Sequence, residues 1–122
     1  MTFIENPLPS LLTTIGGLAP PPRPYLIFYA DIVDGKMWCG YCRDVEELVK
    51  AQFTADDSVT GIVLRVGDKA TWKNPKHEYR DPHGYGLTAI PTIVRLEEGK
   101  EVARLVEDDV KNESKLAEFL KE

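Results

Sequence analysis

A chain of 122 residues is about the size of one ordinary domain and can bury a single core without disulfide or metal staples. Its 43% apolar and 29% charged residues exclude a disordered chain. A net charge of −5, with Lys and Glu evenly mixed, leaves no basic stripe to capture a phosphate backbone, so nucleic acid is not an expected partner. Two cysteines are too few for the disulfide framework of a small secreted domain. The first basic residue is Arg23, so no positive leader region stands out, and no apolar run approaches membrane-spanning length. The expectation is a cytoplasmic, reducing compartment, where a close cysteine pair points to catalysis or metal rather than structure.

Residues 1–122 read as one domain, with 1–24 as a variable N-terminal segment. Pro9 is placed to open a short helix through Leu11, Leu12 and Ile15, ended by Gly16-Gly17. Pro20-Pro21-Pro22-Arg23-Pro24 is an extended, stiff lead-in to the first core strand. Tyr25 to Ala30 is short and almost wholly apolar, as a strand covered on both faces should be. Asp31 to Met37 reads as a loop with Asp34-Gly35 as its turn, leading to Trp38-Cys39-Gly40-Tyr41-Cys42.

From Tyr41 to Phe53 the pattern is helical, with Val45, Leu48, Val49 and Phe53 on one face. Asp44, Glu46 and Glu47 are expected to place negative charge in its first turn, and Glu46 pairs with Lys50 one turn on. Gly61 to Val66 is a second buried strand, so the cysteines sit inside a β-α-β unit with parallel strands. Gly67 to Gly86 is irregular, with one helical segment around Lys76 to Arg80, and is long enough to shape a surface. Thr92 to Leu96 and Glu101 to Val106 flank Glu98-Gly99 as a hairpin, and Asn112 caps a last helix carrying Leu116, Phe119 and Leu120.

A thiolate rather than a thiol attacks a disulfide, so a redox cysteine needs a lowered pKa. Cys39 lies where the unsatisfied N–H groups and dipole of a helix favour negative sulfur, with Arg43 as a nearby cation. Cys42, one turn further in, is expected to be the less exposed partner. In this reading Cys39 attacks and Cys42 resolves the mixed disulfide. Two structural cysteines are the plainer alternative. A zinc site would need His77 and His83 to complete the coordination, and two solvent-exposed loop histidines are the commoner case. Met37-x-Cys39-x-x-Cys42 also fits the M-x-C-x-x-C of modules that pass on Cu(I).

Two motifs carry a resemblance. Trp38-Cys39-Gly40-x-Cys42 after an apolar strand, followed by Tyr85-Gly86-Leu87-Thr88-Ala89-Ile90-Pro91-Thr92 before the hairpin, is similar to thioredoxin, with W-C-G-x-C and later Y-G-I-x-x-I-P-T. More narrowly, the lengthened stretch before Trp38 and Val66-Gly67-Asp68-Lys69-x-x-Trp72-Lys73-Asn74-Pro75 with Tyr79-Arg80 resemble the Clot-type, thioredoxin domain-containing 17 type proteins, from about Tyr25 to Glu107.

The resemblance implies an α/β thioredoxin fold: a central mixed sheet flanked by helices, with a cis-Pro loop facing a C-x-x-C at a helix N-terminus. It implies a cytosolic disulfide reductase with no bound cofactor or metal, recharged by thioredoxin reductase and NADPH. Protein or small-molecule disulfides would be its partners, without nucleic acid or membrane, and the protein would be a monomer. By position, Cys39 is the nucleophile, Cys42 the resolving thiol and Pro91 the cis-proline. Trp38, Gly40, Tyr41 and the outward backbone of Ile90 would meet substrate.

Two departures stand out. Gly40-Tyr41 replaces the family's Pro and acidic residue, and Ile27 stands where thioredoxin has a buried Asp. Water or the Asp31 to Asp34 stretch is then left to accept the Cys42 proton. A glutathione-dependent, glutaredoxin-like enzyme is the nearest rival through Tyr41, although Leu105-Val106-Glu107-Asp108 replaces that class's Gly-Gly pair. A binding module using its thiols as a sensing switch is a third possibility.

Overall fold

The computed structural model describes residues 3–5, 23–55, 58–97 and 100–121. The expected helix from Pro9, the prolines up to Pro22 and the Glu98-Gly99 turn lie outside them. The strands are β1 (Phe3–Glu5), β2 (Pro24–Tyr29), β3 (Ile32–Val33), β4 (Lys36–Met37), β5 (Thr60–Arg65), β6 (Thr92–Glu97) and β7 (Lys100–Val106). The helices are α1 (Gly40–Thr54), α2 (Lys69–Lys73), α3 (Asp108–Lys111) and α4 (Glu113–Lys121), with a 3-10 turn at Glu78–Arg80.

Five strands form one mixed sheet in the order β1-β5-β2-β6-β7, and β3 and β4 pair separately. β5 runs parallel to both β1 and β2, while β6 is antiparallel to β2 and β7. The parallel β2-α1-β5 unit is the one expected from two apolar runs around a helix. β1, in the segment least informative in sequence, adds an edge strand beside β5.

β2 is buried from Tyr25 to Tyr29 because both of its faces are covered. Side chains alternate across a strand, so odd and even positions meet different neighbours. Tyr25 packs edge-on against Phe53 of α1 and Phe119 of α4, with centroids at 5.4 and 5.5 Å. Phe28, on the opposite face, meets Tyr79 and Tyr85 at 5.3 and 5.0 Å. The long stretch after β5 therefore supplies the second layer over the sheet. Close approach between β5 and α1 requires Gly61, where a Cβ would lie 2.9 Å from a Phe53 ring carbon and 3.0 Å from Ile27 Cδ1.

Three expectations are corrected. Asp31 to Met37 is a two-stranded ribbon rather than a loop: Asp34 and Gly35 both carry positive φ, 52° and 85°, as a two-residue hairpin turn demands. The stretch from Gly67 contains an unexpected helix, α2, capped by the Asp68 carboxylate accepting Thr71 N–H at 2.8 Å. The segment expected near Lys76 contracts to the single turn from Glu78. The last helix is capped by Asn112 as expected, its Oδ1 accepting Lys115 N–H at 3.0 Å, and a short additional helix, α3, precedes it.

Candidate active site

Helix α1 begins one residue earlier than its apolar periodicity indicates, at Gly40, with Cys39 as its cap. Cys39 Sγ accepts the Cys42 N–H at 3.4 Å. Because of this start, Asp44, Glu46 and Glu47 fall beyond the first turn, which holds no acidic residue. The positive end of the helix thus faces the Cys39 sulfur without a competing carboxylate in that turn.

Cys39 is half-buried and Cys42 fully buried, the order expected from their helical spacing. The Cys39 thiol is held down to about 6. The largest cause is the Cys42 thiol hydrogen-bonding to the Cys39 sulfur; burial opposes it, and the N–H groups of Cys42 and Tyr41 and then the Arg43 charge assist. Arg43, read from sequence as a cation beside Cys39, also donates to the Met37 carbonyl and so ties α1 to β4. The same sulfur–sulfur hydrogen bond, with burial, pushes the Cys42 thiol far up.

The facing wall is the loop before β6. Its Ile90–Pro91 peptide bond is cis, and the Ile90 carbonyl oxygen lies 4.0 Å from Cys39 Sγ. Thr92 Oγ1 donates to Ala89 O at 2.7 Å, and Glu107 N–H donates to Pro91 O at 2.8 Å, so both sides of the loop are fastened. Ile90 and Pro91 are buried.

Trp38 is half-buried and held at both ends. Its indole N–H donates to Gly67 O at 2.9 Å, and its backbone N–H reaches Asp31 O at 3.4 Å. Gly67 also accepts Asp31 N–H at 3.2 Å, and its own N–H donates to the Asp31 carboxylate at 3.0 Å. Positive φ at Gly67, 95°, makes this exchange possible. Gly40 and Tyr41 are exposed on the rim; the Tyr41 hydroxyl donates to Asp108 at 2.7 Å, which raises its pKa along with the neighbouring Glu107 and Asp44 charges.

Ile27 is fully buried in the core, so that position holds no acid. The Asp31 carboxylate is engaged with Gly67, and Asp34 stands at the exposed tip of the ribbon.

The zinc alternative loses a ligand. His77 is half-buried rather than exposed: Nε2 lies 2.6 Å from Val66 O, an obligate acceptor, so it donates there, while Nδ1 accepts Tyr79 N–H at 3.1 Å. Both ring nitrogens are used. Among the described residues no three His, Cys, Asp or Glu side chains gather closely enough to hold a metal.

Sequence reasoning missed Asp108, Gly67 as the anchor of Trp38, and Arg65. Arg65 had a signal: it is the single charge in the otherwise apolar Gly61 to Val66 run. Its guanidinium donates to Ala30 O at 3.0 Å and lies 5.7 Å from the Tyr29 ring centroid.

With a dithiol at a helix start facing a cis-Pro loop, the likeness to known proteins can be placed. The family described as thioredoxin domain-containing protein 17-like, thioredoxin domain, matches residues 22–122. The chain belongs to that family.

Among curated members of the wider group, the thioredoxin-like protein Clot of Oryza sativa subsp. japonica is 34% identical over 91 residues, covering 69% of this chain and 66% of that protein. Thioredoxin domain-containing protein 17 of Mus musculus is 33% identical over 64 residues, covering 51% and 50%. The chain thus matches between half and two thirds of the length of these relatives. Among solved structures, Nicotiana alata thioredoxin NaTrxh superposes with a TM-score of 0.67 at 20% identity over 98% of this chain and 90% of that one. Spinach chloroplast thioredoxin f gives 0.67 at 16% identity over 98% and 84%. The fold is therefore that of thioredoxin, as the paired motifs imply.

Proposed function

We propose that this thioredoxin domain-containing protein 17-like chain is a thiol-disulfide reductase that works through Cys39 and Cys42. The observation that carries this reading is a half-buried sulfur, held at about 6, capping α1 opposite the Ile90-Pro91 loop. Cys39 thiolate attacks a substrate disulfide, forming one S–S bond and releasing one substrate thiolate. Cys42 then attacks Cys39, forming the internal disulfide and releasing the second. Two electrons pass from the dithiol to the substrate.

Trp38 and Ile90 flank the sulfur, and an extended substrate segment would lie along Ile90-Pro91 between them, with Gly40 and Tyr41 forming the rim beside it. The chain holds the whole dithiol site itself, which fits action as a monomer. Thioredoxin reductase with NADPH is the proposed source of electrons, and the cytoplasm the proposed setting, where two free thiols stay reduced. Among the described residues no helix is long and apolar enough to cross a membrane.

The test is turnover of a protein disulfide with NADPH and thioredoxin reductase, run beside glutathione and glutathione reductase. Turnover in the first system alone supports the proposal; turnover in the second alone assigns the glutathione-dependent class. Activity in neither leaves the binding module. Cys42→Ser should trap the Cys39 adduct with substrate, seen as a mass increase under non-reducing conditions.

A further inference from the structure

The second half of that reaction, on which the following rests, asks for a Cys42 thiolate in the most buried part of the site. Burial opposes ionisation there. Ile27 supplies no carboxylate, the Asp31 carboxylate is bonded to Gly67 N–H, and Thr88-Ala89-Ile90-Pro91-Thr92 brings no ionisable side chain. From α1 come Cys39 and the Arg43 cation, whose guanidinium is turned onto the Met37 carbonyl; from β4 comes the apolar Met37; at and just beyond the end of β2 stand Tyr29 and the Ala30 backbone.

β5 contributes the exception. Gly61 faces Phe53 of α1, so strand alternation puts Arg65 on the same side, at the strand end nearest the first turn of α1. Its Cα pairs with that of Tyr29, and its guanidinium is fixed on Ala30 O at 3.0 Å. The Ala30 backbone N–H also favours the Cys42 thiolate, so one residue, through the peptide groups on its two sides, stands between the cation and the thiol.

We propose that Arg65 is a positioning residue for the resolving step: anchored on the Ala30 carbonyl, it places a permanent positive charge near the Cys42 thiol in a site where Ile27 leaves no proton acceptor, and so stabilises the Cys42 thiolate. The proton leaves to water. Cys42 attacks Cys39 Sγ, the Cys39–substrate bond breaks, and the departing sulfur carries away the electron pair. The design differs from general-base activation in needing no group that titrates, since a guanidinium stays charged throughout the working range.

The resolving step is isolated by treating reduced full-length protein with one equivalent of Ellman's reagent. Cys39 displaces one thionitrobenzoate, and Cys42 releases the second, read at 412 nm by stopped flow from pH 6 to 10. Arg65→Gln keeps a donor for Ala30 without charge, and Arg65→Lys keeps charge. The expected result is a second phase about tenfold slower in Arg65→Gln at pH 7, with its inflection moved to higher pH, and largely restored in Arg65→Lys. The first phase is expected to be unchanged in both.

An Arg65→Gln second phase matching wild type overturns the proposal while leaving the dithiol reaction intact. So does a slowing with no pH shift, or one that Arg65→Lys does not relieve, since either marks a packing role. Absence of a second release in wild type overturns the dithiol reading and this proposal together.

Discussion

At the residue scale, the reactivity of Cys39 comes mainly from its partner. Alkylation of Cys39 by iodoacetamide should rise through an inflection near pH 6 and level off by neutrality, because thiolate is the reactive form and the thiol is held at about 6. Cys42→Ala removes the donor that does most of this, so the inflection should move to higher pH. Cys42→Ser keeps a hydroxyl donor and should move it less. Arg43→Ala should shift it upward by a smaller step, since the guanidinium charge lowers the thiol less than the hydrogen bonds from Cys42 and Tyr41 do. Mass spectrometry of alkylated Cys39 against pH checks all three.

At the element scale, two backbone positions carry more constraint than their residue types advertise. Gly61 lets β5 lie against α1, so Gly61→Ala should cost about 1–3 kcal/mol by forcing Phe53 and Ile27 apart, measured by urea unfolding of the reduced protein. Glu107 holds φ 45° and ψ −104° at the start of α3 while donating its N–H to Pro91 O. That conformation is glycine territory, so Glu107→Gly should stabilise by about 1 kcal/mol after the added chain entropy is offset. A lower midpoint in urea than wild type would contradict this.

On the scale of the whole molecule, the stretch from Gly67 to Gly86 decides how the second sheet face is sealed. Trp72 is buried, Arg80 Nε donates to Trp72 O at 2.8 Å, and the guanidinium stands 3.8 Å above the indole. Beyond it Tyr79 and Tyr85 cap Phe28. Arg80→Ala should therefore lower unfolding free energy by about 1–2 kcal/mol through one lost hydrogen bond and one cation–π contact. Because this layer covers the face opposite α1, the alkylation profile of Cys39 should stay as in wild type.

Much of this architecture was legible beforehand because local patterns carry it. The apolar runs at Tyr25 and Gly61, the helical spacing after Cys42 and Asp34-Gly35 each follow from periodicity or turn chemistry acting over a few residues. The two cysteines and Ile90-Pro91-Thr92 declare the site by type and order. What neighbours do across the fold had no such trace: Asp108 reaching Tyr41, Gly67 holding Trp38, and His77 spending both nitrogens on backbone. Asp31 to Met37 became a ribbon because strand pairing satisfies backbone groups that a sequence reading leaves unassigned. By itself the sequence determined that a dithiol sits at a helix start within a β-α-β unit. Only the tertiary structure decided which charges surround it, because the pairing of β2 with β5 brings Arg65 onto the Ala30 carbonyl, from where its charge acts on Cys42, 23 positions away in the chain.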